Sequence, residues 1–197
     1  MKNLIFLFLT ATTIVFFSSC SSNDESDSSQ DIIFEIGDAY QGGIIFYIDS
    51  TGEHGLIAAT VDLPKATWGC IGNTSPIAQN QEIGSGITNT LAILSNCSEP
   101  GIAARVASEF DFNGYTDWFL PSINELALLY EHREIIGGFD ESEGAIYSSS
   151  TEFFPVGTGE HLNYWVYDFG VSPVIPDARK LNTNKETPSI IRVIRSF

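Results

Sequence analysis

Gly114–Tyr130 reads "GYTDWFLPSINELALLY", and how this stretch folds decides the class of the whole chain. Ser122 is followed three residues later by Glu125, the spacing of a capping box in which each side chain accepts from the other's backbone N–H. Pro121 stands just outside that start, where its missing N–H costs no helical bond. Beyond it, Ile123, Leu126, Ala127 and Tyr130 fall on one side of a 3.6-residue repeat, which predicts an amphipathic helix. "IIGGF" ends the helix, with Gly137 or Gly138 in the left-handed terminating position. Upstream, Asn113 and Gly114 predict a turn, and Tyr115 and Trp118 bring rings that usually anchor a core. The stretch is therefore expected to be scaffolding.

Working outward, "QGGIIFYID" and "HGLIAATVD" are two apolar, β-branched runs separated by "STGE", a hairpin with Gly52 in its turn. Ile87, Leu91 and Leu94 recur at i, i+4 and i+7 and predict a short helix over "GITNTLAILSN". Pro100 and Gly101 break the chain before Ile102, Val106 and Phe110 repeat the pattern, and Glu99 is placed to favour that second helix start. Three later segments read as strands: "AIYSSST", "NYWVYDF" and the alternating end "SIIRVIRSF". Trp165 and Tyr167 share one face of theirs and Tyr164 takes the other. Arg192 and Arg195 have opposite parity, so at most one points inward, toward a carboxylate. A strand near each end invites pairing of the two termini. The order predicts an α+β fold with many loops.

Leu4–Phe17 is an apolar run of 14 residues after Lys2, too short to span a bilayer and suited to a secretory signal. "FFSSC" then places small residues before Cys20, a pattern that resembles the bacterial lipobox. The expectation is that residues 1–19 are removed and that a lipid on Cys20 supplies the membrane attachment. Residues 20–36 follow as an acidic tether that cannot form a core. Its "SSNDESDSSQD" resembles the surface-export signal of Bacteroidetes lipoproteins, so an outer-membrane location, on the cell surface or the periplasmic face, is expected.

The folded domain is expected over 37–197, a usual single-domain size. The chain carries a formal charge of −16. Loss of Lys2 leaves 8 basic against 25 acidic residues, or −17. Nucleic acid and other polyanions need a basic stripe, so they are disfavoured as partners. Cys70 and Cys97 are an isolated pair in an exported chain, and the expectation is a disulfide across 27 positions. Neither has the CxxC or neighbouring histidine of a zinc site.

Taken together and in order, "GGIIFYID", "HGLIAA", "WGC", "IGSGITNT", "GIAAR", "GYTDWFLPSINEL", "YSSSTE" and "IRVIRSF" resemble the Lcl C-terminal family, the tip domain of Legionella collagen-like proteins. That resemblance implies a C-type lectin-like fold with paired terminal strands, two to three short helices and a loop-rich half. It also implies a surface role in adhesion or glycan binding. The family's tryptophan before the serine pair is Ser148 here, and no Gly-X-Y stalk is present.

Candidate sites follow from residue type. The calcium and sugar motifs of C-type lectins are incomplete, since "SEPG" has Gly101 where the amide belongs and no WND follows. Asp111, Asn113 and Asp117 offer oxygen donors at a spacing that loosely matches a calcium loop, against the alternative of a plain Asn-Gly turn. No other cofactor is expected. Phe153, Phe154, His161, Tyr164, Trp165 and Tyr167 are the candidate ligand surface, because an exposed ring can stack on a sugar. The serine run has no G-x-S-x-G context and the histidines no H-E-x-x-H spacing. The expectation is a non-catalytic module that recognises glycan or protein. A structural partner of another envelope protein, or an enzyme acting on polysaccharide, are the alternatives.

Overall fold

The computed structural model describes residues 33–155, 157, 161–172, 174–175 and 178–197. Cys20, the signal and most of the tether lie outside the described residues. In chain order the elements are β1 (Ala39–Tyr40), β2 (Gly43–Ile48), β3 (Gly55–Ala58), β4 (Leu63–Ala66), a 3-10 turn (Pro76–Gln79), α1 (Gly86–Asn96), α2 (Ala103–Ser108), α3 (Ile123–Glu131), α4 (Arg133–Ile136), β5 (Ile146–Phe153), β6 (Asn163–Asp168), β7 (Lys180–Asn184), β8 (Ser189–Ile191) and β9 (Ile194–Ser196). They form an α+β fold with a four-stranded sheet, β1-β2-β3-β9, and a five-stranded sheet, β4-β8-β5-β6-β7.

The predicted hairpin forms, with Ile44 opposite Ala58 and Ile48 opposite Gly55. Its turn closes because the Asp49 carboxylate accepts from the N–H groups of Thr51 and Gly52, and Gly52 takes a left-handed φ of 77° that favours glycine. The C-terminal strand adds to the same hairpin, Leu56 facing Ser196 and Ala58 facing Ile194. Phe34, inside the segment expected to be tether, instead packs its ring 4.8 Å from those of Tyr40 and Phe197. An apolar ring next to two others is buried more readily than it is left in water.

"SIIRVIRSF" is not one strand. Ser189–Ile191 belongs to the five-stranded sheet and Ile194–Ser196 to the four-stranded one, so the chain crosses between sheets at Arg192–Val193. The crossing resets the parity, and both arginines are buried. Arg192 donates to the Asp62 carboxylate at 2.8 Å and to the carbonyls of Ala59 and Gly137 at 2.8 and 3.1 Å. Arg195 holds Asp117 through two parallel bonds of 2.7 and 2.8 Å. A buried guanidinium needs this many acceptors to offset its lost hydration.

The opening stretch is scaffolding, as its sequence suggests. Trp118 is buried, donates from Nε1 to the Tyr115 carbonyl at 2.9 Å, and sits edge-on to Phe110 and Phe112. The capping box is complete: Ser122 N–H donates to Glu125 at 2.6 Å, and Glu125 N–H to the Ser122 hydroxyl at 3.2 Å. The second Glu125 oxygen accepts from Gly84 at 2.7 Å. Burial nevertheless pushes the Glu125 pKa up, against those hydrogen bonds. The buried stripe of α3 is Ile123, Leu126 and Leu129, and Ala127 and Tyr130 are only half-buried. Gly137 and Gly138 both adopt a φ of 73°, and a Cβ on Gly138 would meet the Thr60 carbonyl at 2.4 Å.

Helix α1 exists where expected but faces the other way. Ile87 and Leu91 are 41 % and 57 % exposed, whereas Asn89, Thr90, Ala92 and Ile93 are buried. The interior there holds backbone groups that need partners. Asn89 donates to the Asn80 carbonyl at 2.7 Å, and the Thr90 hydroxyl accepts from Leu120 N–H at 3.1 Å.

Candidate functional site

Two sequence candidates turn out to be parts of the frame. Asn113 occupies a left-handed φ of 52° in the tight turn between Phe112 and Tyr115, and its amide donates to the Gly42 carbonyl at 2.9 Å. Asp117 gives both oxygens to Arg195, whose hydrogen bonds and charge hold its pKa below the ordinary aspartate range. Asp111 is exposed. Of the three oxygen donors, Asn113 therefore serves the turn and Asp117 an ion pair, as the plain-turn alternative expects, and only Asp111 is left uncommitted among the described contacts. Among the described residues the one cluster of three ligand-type side chains is Cys70, Cys97 and Glu99. Its two sulfurs are bonded to each other as the expected disulfide, so neither is a thiolate ligand. Glu99 does not start a helix. Its carboxylate accepts from Cys70 N–H at 3.0 Å and braces the disulfide loop, and α2 begins four residues later.

The aromatic candidates divide by face, as strand alternation requires. Tyr164 is buried, with its hydroxyl 2.7 Å from that of Ser189 and its ring stacked 6.1 Å from Trp68. Trp165 and Tyr167 lie half-buried on the opposite face. The Lys180 ammonium sits 4.7 Å from the Trp165 ring centre, and Phe153 meets the same ring edge-on at 4.8 Å. Tyr167 packs 5.4 Å from Tyr130. His161 stacks on Phe154 at 4.7 Å and places Nδ1 3.5 Å from the Glu152 carboxylate. These rings are engaged with one another.

Behind His161 is a buried pair that the sequence did not single out. Lys185 donates to Glu152 at 2.6 Å and to the Asn73 carbonyl at 2.8 Å, and lies 4.4 Å from the Trp68 ring centre. Glu152 also accepts from Ser75 N–H at 3.0 Å. Burial pulls the Lys185 pKa down, against the opposing pull of Glu152. Lys185 and Glu152 are paired and hydrogen-bonded, and their bonds to Asn73 and Ser75 tie the chain after Cys70 to the sheet. No spacing rule could have joined positions 33 residues apart.

The strongest candidate for a ligand site is a trough of about 660 Å³ on the other face of the five-stranded sheet. Ile146, Val166 and Leu181 form an apolar floor. Val166 lies directly opposite Leu181, and Tyr164 opposite Thr183, so alternate residues of β6 and β7 face the trough. Asn182, Thr183, Thr187 and Ser189 supply hydrogen-bonding groups around it. One wall is Val174, Ile175 and Ala178, in the segment between β6 and β7. Asp168 fixes that wall by accepting from the N–H groups of Gly170 and Val174, and Arg179 clasps the carbonyls of Asp168 and Gly170, each at 2.9 Å. Among the described lining residues the charged ones are Lys65 and Lys180. In a chain of net charge −16, that makes the trough a local exception. An apolar floor of this volume with a few polar groups has the character of a binding pocket.

No protein-family model matches the chain, and no curated protein matches it.

Proposed function

We propose that this chain is a lipid-anchored, non-catalytic recognition domain of the cell envelope that binds a glycan or a protein ligand in the trough. The observation that carries it is the trough itself, a wall held by Asp168 and Arg179 and an apolar floor ringed by the Asn182 amide and the hydroxyls of Thr183, Thr187 and Ser189. Such groups bind and orient a ligand. The envelope location rests on the apolar run before Cys20 and on the disulfide, which belongs to an oxidising compartment. Among the described residues no helix is long and apolar enough to cross a membrane. The C-type lectin-like resemblance draws support from the C-terminal strand lying beside the N-terminal hairpin.

A glycan array probed with the full-length protein in detergent, with calcium and with chelator, tests this. Binding that Leu181→Trp blocks by filling the trough is the expected result. Binding unaffected by that change would move the ligand elsewhere, and chelator-sensitive binding would bring a metal into the site. A second reading, assembly against another envelope protein, draws on Ile87 and Leu91, four residues apart on α1 and both exposed.

A further inference from the structure

We propose that the open edge of β7 is a strand-addition site for an extended polypeptide of alternating apolar and acidic residues. This rests on the trough being the ligand site and narrows its ligand from glycan or protein to polypeptide.

Register fixes which backbone groups are free. The bonds from Asp168 N–H to the Arg179 carbonyl and from Lys185 N–H to the Leu162 carbonyl, both 2.8 Å, frame the β6–β7 ladder. Hydrogen-bonded pairs therefore fall at the odd positions of β7, and the even positions turn N–H and C=O away from β6. Lys180 and Asn182 each present both groups outward, and Asn184 presents its N–H, its carbonyl being used by Thr187 N–H. Among the described residues β7 pairs with no strand other than β6.

The other edges carry protective features, whereas among the described residues β7 has only the charge of Lys180. β1 has two residues. β4 carries Pro64 and a register shift between Leu63 and Ala66. β9 is engaged beyond its sheet through the bridge from Ile194 to Phe119. β7 runs through five consecutive pairs without a proline or a bulge. Short edges, prolines and bulges are the devices that normally prevent strand addition.

The two faces of that edge define the partner. An added strand places alternate side chains beside Leu181 and Thr183, facing the trough, where Val174 and Ile175 are 60 % and 50 % exposed. Those partner residues are apolar. The intervening ones lie beside exposed Lys180 and Asn182 at the rim of the trough, where a carboxylate meets the amide and the ammonium that also donates to Gln81 Oε1 at 2.7 Å. Main-chain bonds then supply affinity, and the alternating side chains supply selectivity.

A random dodecapeptide library displayed on phage, selected on the full-length protein in detergent, tests this beside the glycan array. The expected result is enrichment of alternating apolar and acidic peptides whose affinity falls roughly tenfold or more with Asn182→Pro. Asn182 N–H points away from β6, so this change removes no backbone ladder bond; it removes only the exposed side-chain bond that Asn182 Oδ1 accepts from Asn163 at 3.0 Å, and the thermal midpoint should fall only slightly. Where the variant does not fold, methylating alternate backbone nitrogens of the selected peptide makes the same test on the wild-type protein. Peptides that tolerate both changes overturn strand addition. Glycan binding without peptide enrichment overturns it and leaves the recognition reading standing. An empty library and an empty array overturn both.

Discussion

Helices α1 and α3 both pack against β5, yet they turn opposite chemistry toward it. α3 presents Ile123, Leu126 and Leu129, and its polar start is closed by its own capping box. α1 buries Asn89 and Thr90 beside Ala92 and Ile93 and leaves Ile87 and Leu91 in solvent. The difference lies in what surrounds each helix. α3 meets an apolar cluster of Phe46, Phe119, Tyr147 and Phe169, whereas α1 lies over loop backbone whose carbonyl at Asn80 and N–H at Leu120 have to be satisfied. An interior needs its polar groups paired as much as its volume filled. Where the neighbours are loops, an amide is worth more on the inner face than a leucine.

The largest expected effects are on the α3 side. Leu126→Ala should cost about 2–5 kcal/mol and Trp118→Ala about 3–5 kcal/mol in denaturant unfolding. A Trp118 variant that stays folded near wild-type stability would make the opening stretch a surface motif and break the comparison. α1 is held by other means, since Cys97 caps its C-terminal end and ties it to Cys70. Cys70→Ser with Cys97→Ser should cost about 3–4 kcal/mol in the chain-entropy model, measured the same way. On the helix itself Asn89→Ala should cost about 1–3 kcal/mol by leaving buried partners unpaired. Leu91→Ser should stay within about 0.5 kcal/mol. The reverse order of those two would mean that α1 is turned the other way.

The smallest effect is a matter of sign. Arg195 lowers the Asp117 pKa, so the stabilisation it brings is present above the ordinary aspartate value of about 3.9 and is lost as pH falls through the lower folded value. Burial raises the Glu125 pKa, so its contribution is full below the ordinary glutamate value of about 4.3 and is lost as pH rises through the higher folded value. On acidification, the thermal advantage of wild type over Asp117→Asn should shrink while its advantage over Glu125→Gln grows. Parallel slopes would remove the contrast between the half-exposed ion pair and the buried cap.

Much of the fold was legible in the sequence. The hairpin around Gly52, the disulfide, the capping box at Ser122 and Glu125, and the glycine stop at Gly137 and Gly138 each depend on residues a few positions apart or on a residue type with one dominant use. The candidate sites were far less legible. Asp111, Asn113 and Asp117 have the residue types of a metal loop, but Arg195, 78 positions from Asp117, already holds the carboxylate. The parity of Trp165 and Tyr167 puts them on one face of a strand, but what covers that face, Lys180 and Tyr130, comes from other elements. The trough draws its lining from strands scattered between Lys65 and Ser189.

By itself the sequence determined helices α1 to α3, the β2–β3 hairpin and strands β5 and β6, because periodicity, caps and turns are set by near neighbours. Leu63–Ala66 and Lys180–Asn184 carry no apolar alternation and became strands β4 and β7 only through their partners. Only the tertiary structure decided which face of α1 is buried, that the last alternating run splits between two sheets, and that β7 is left with an open edge. Each of those depends on which backbone groups and side chains arrive from distant parts of the chain, and no local pattern carries that information.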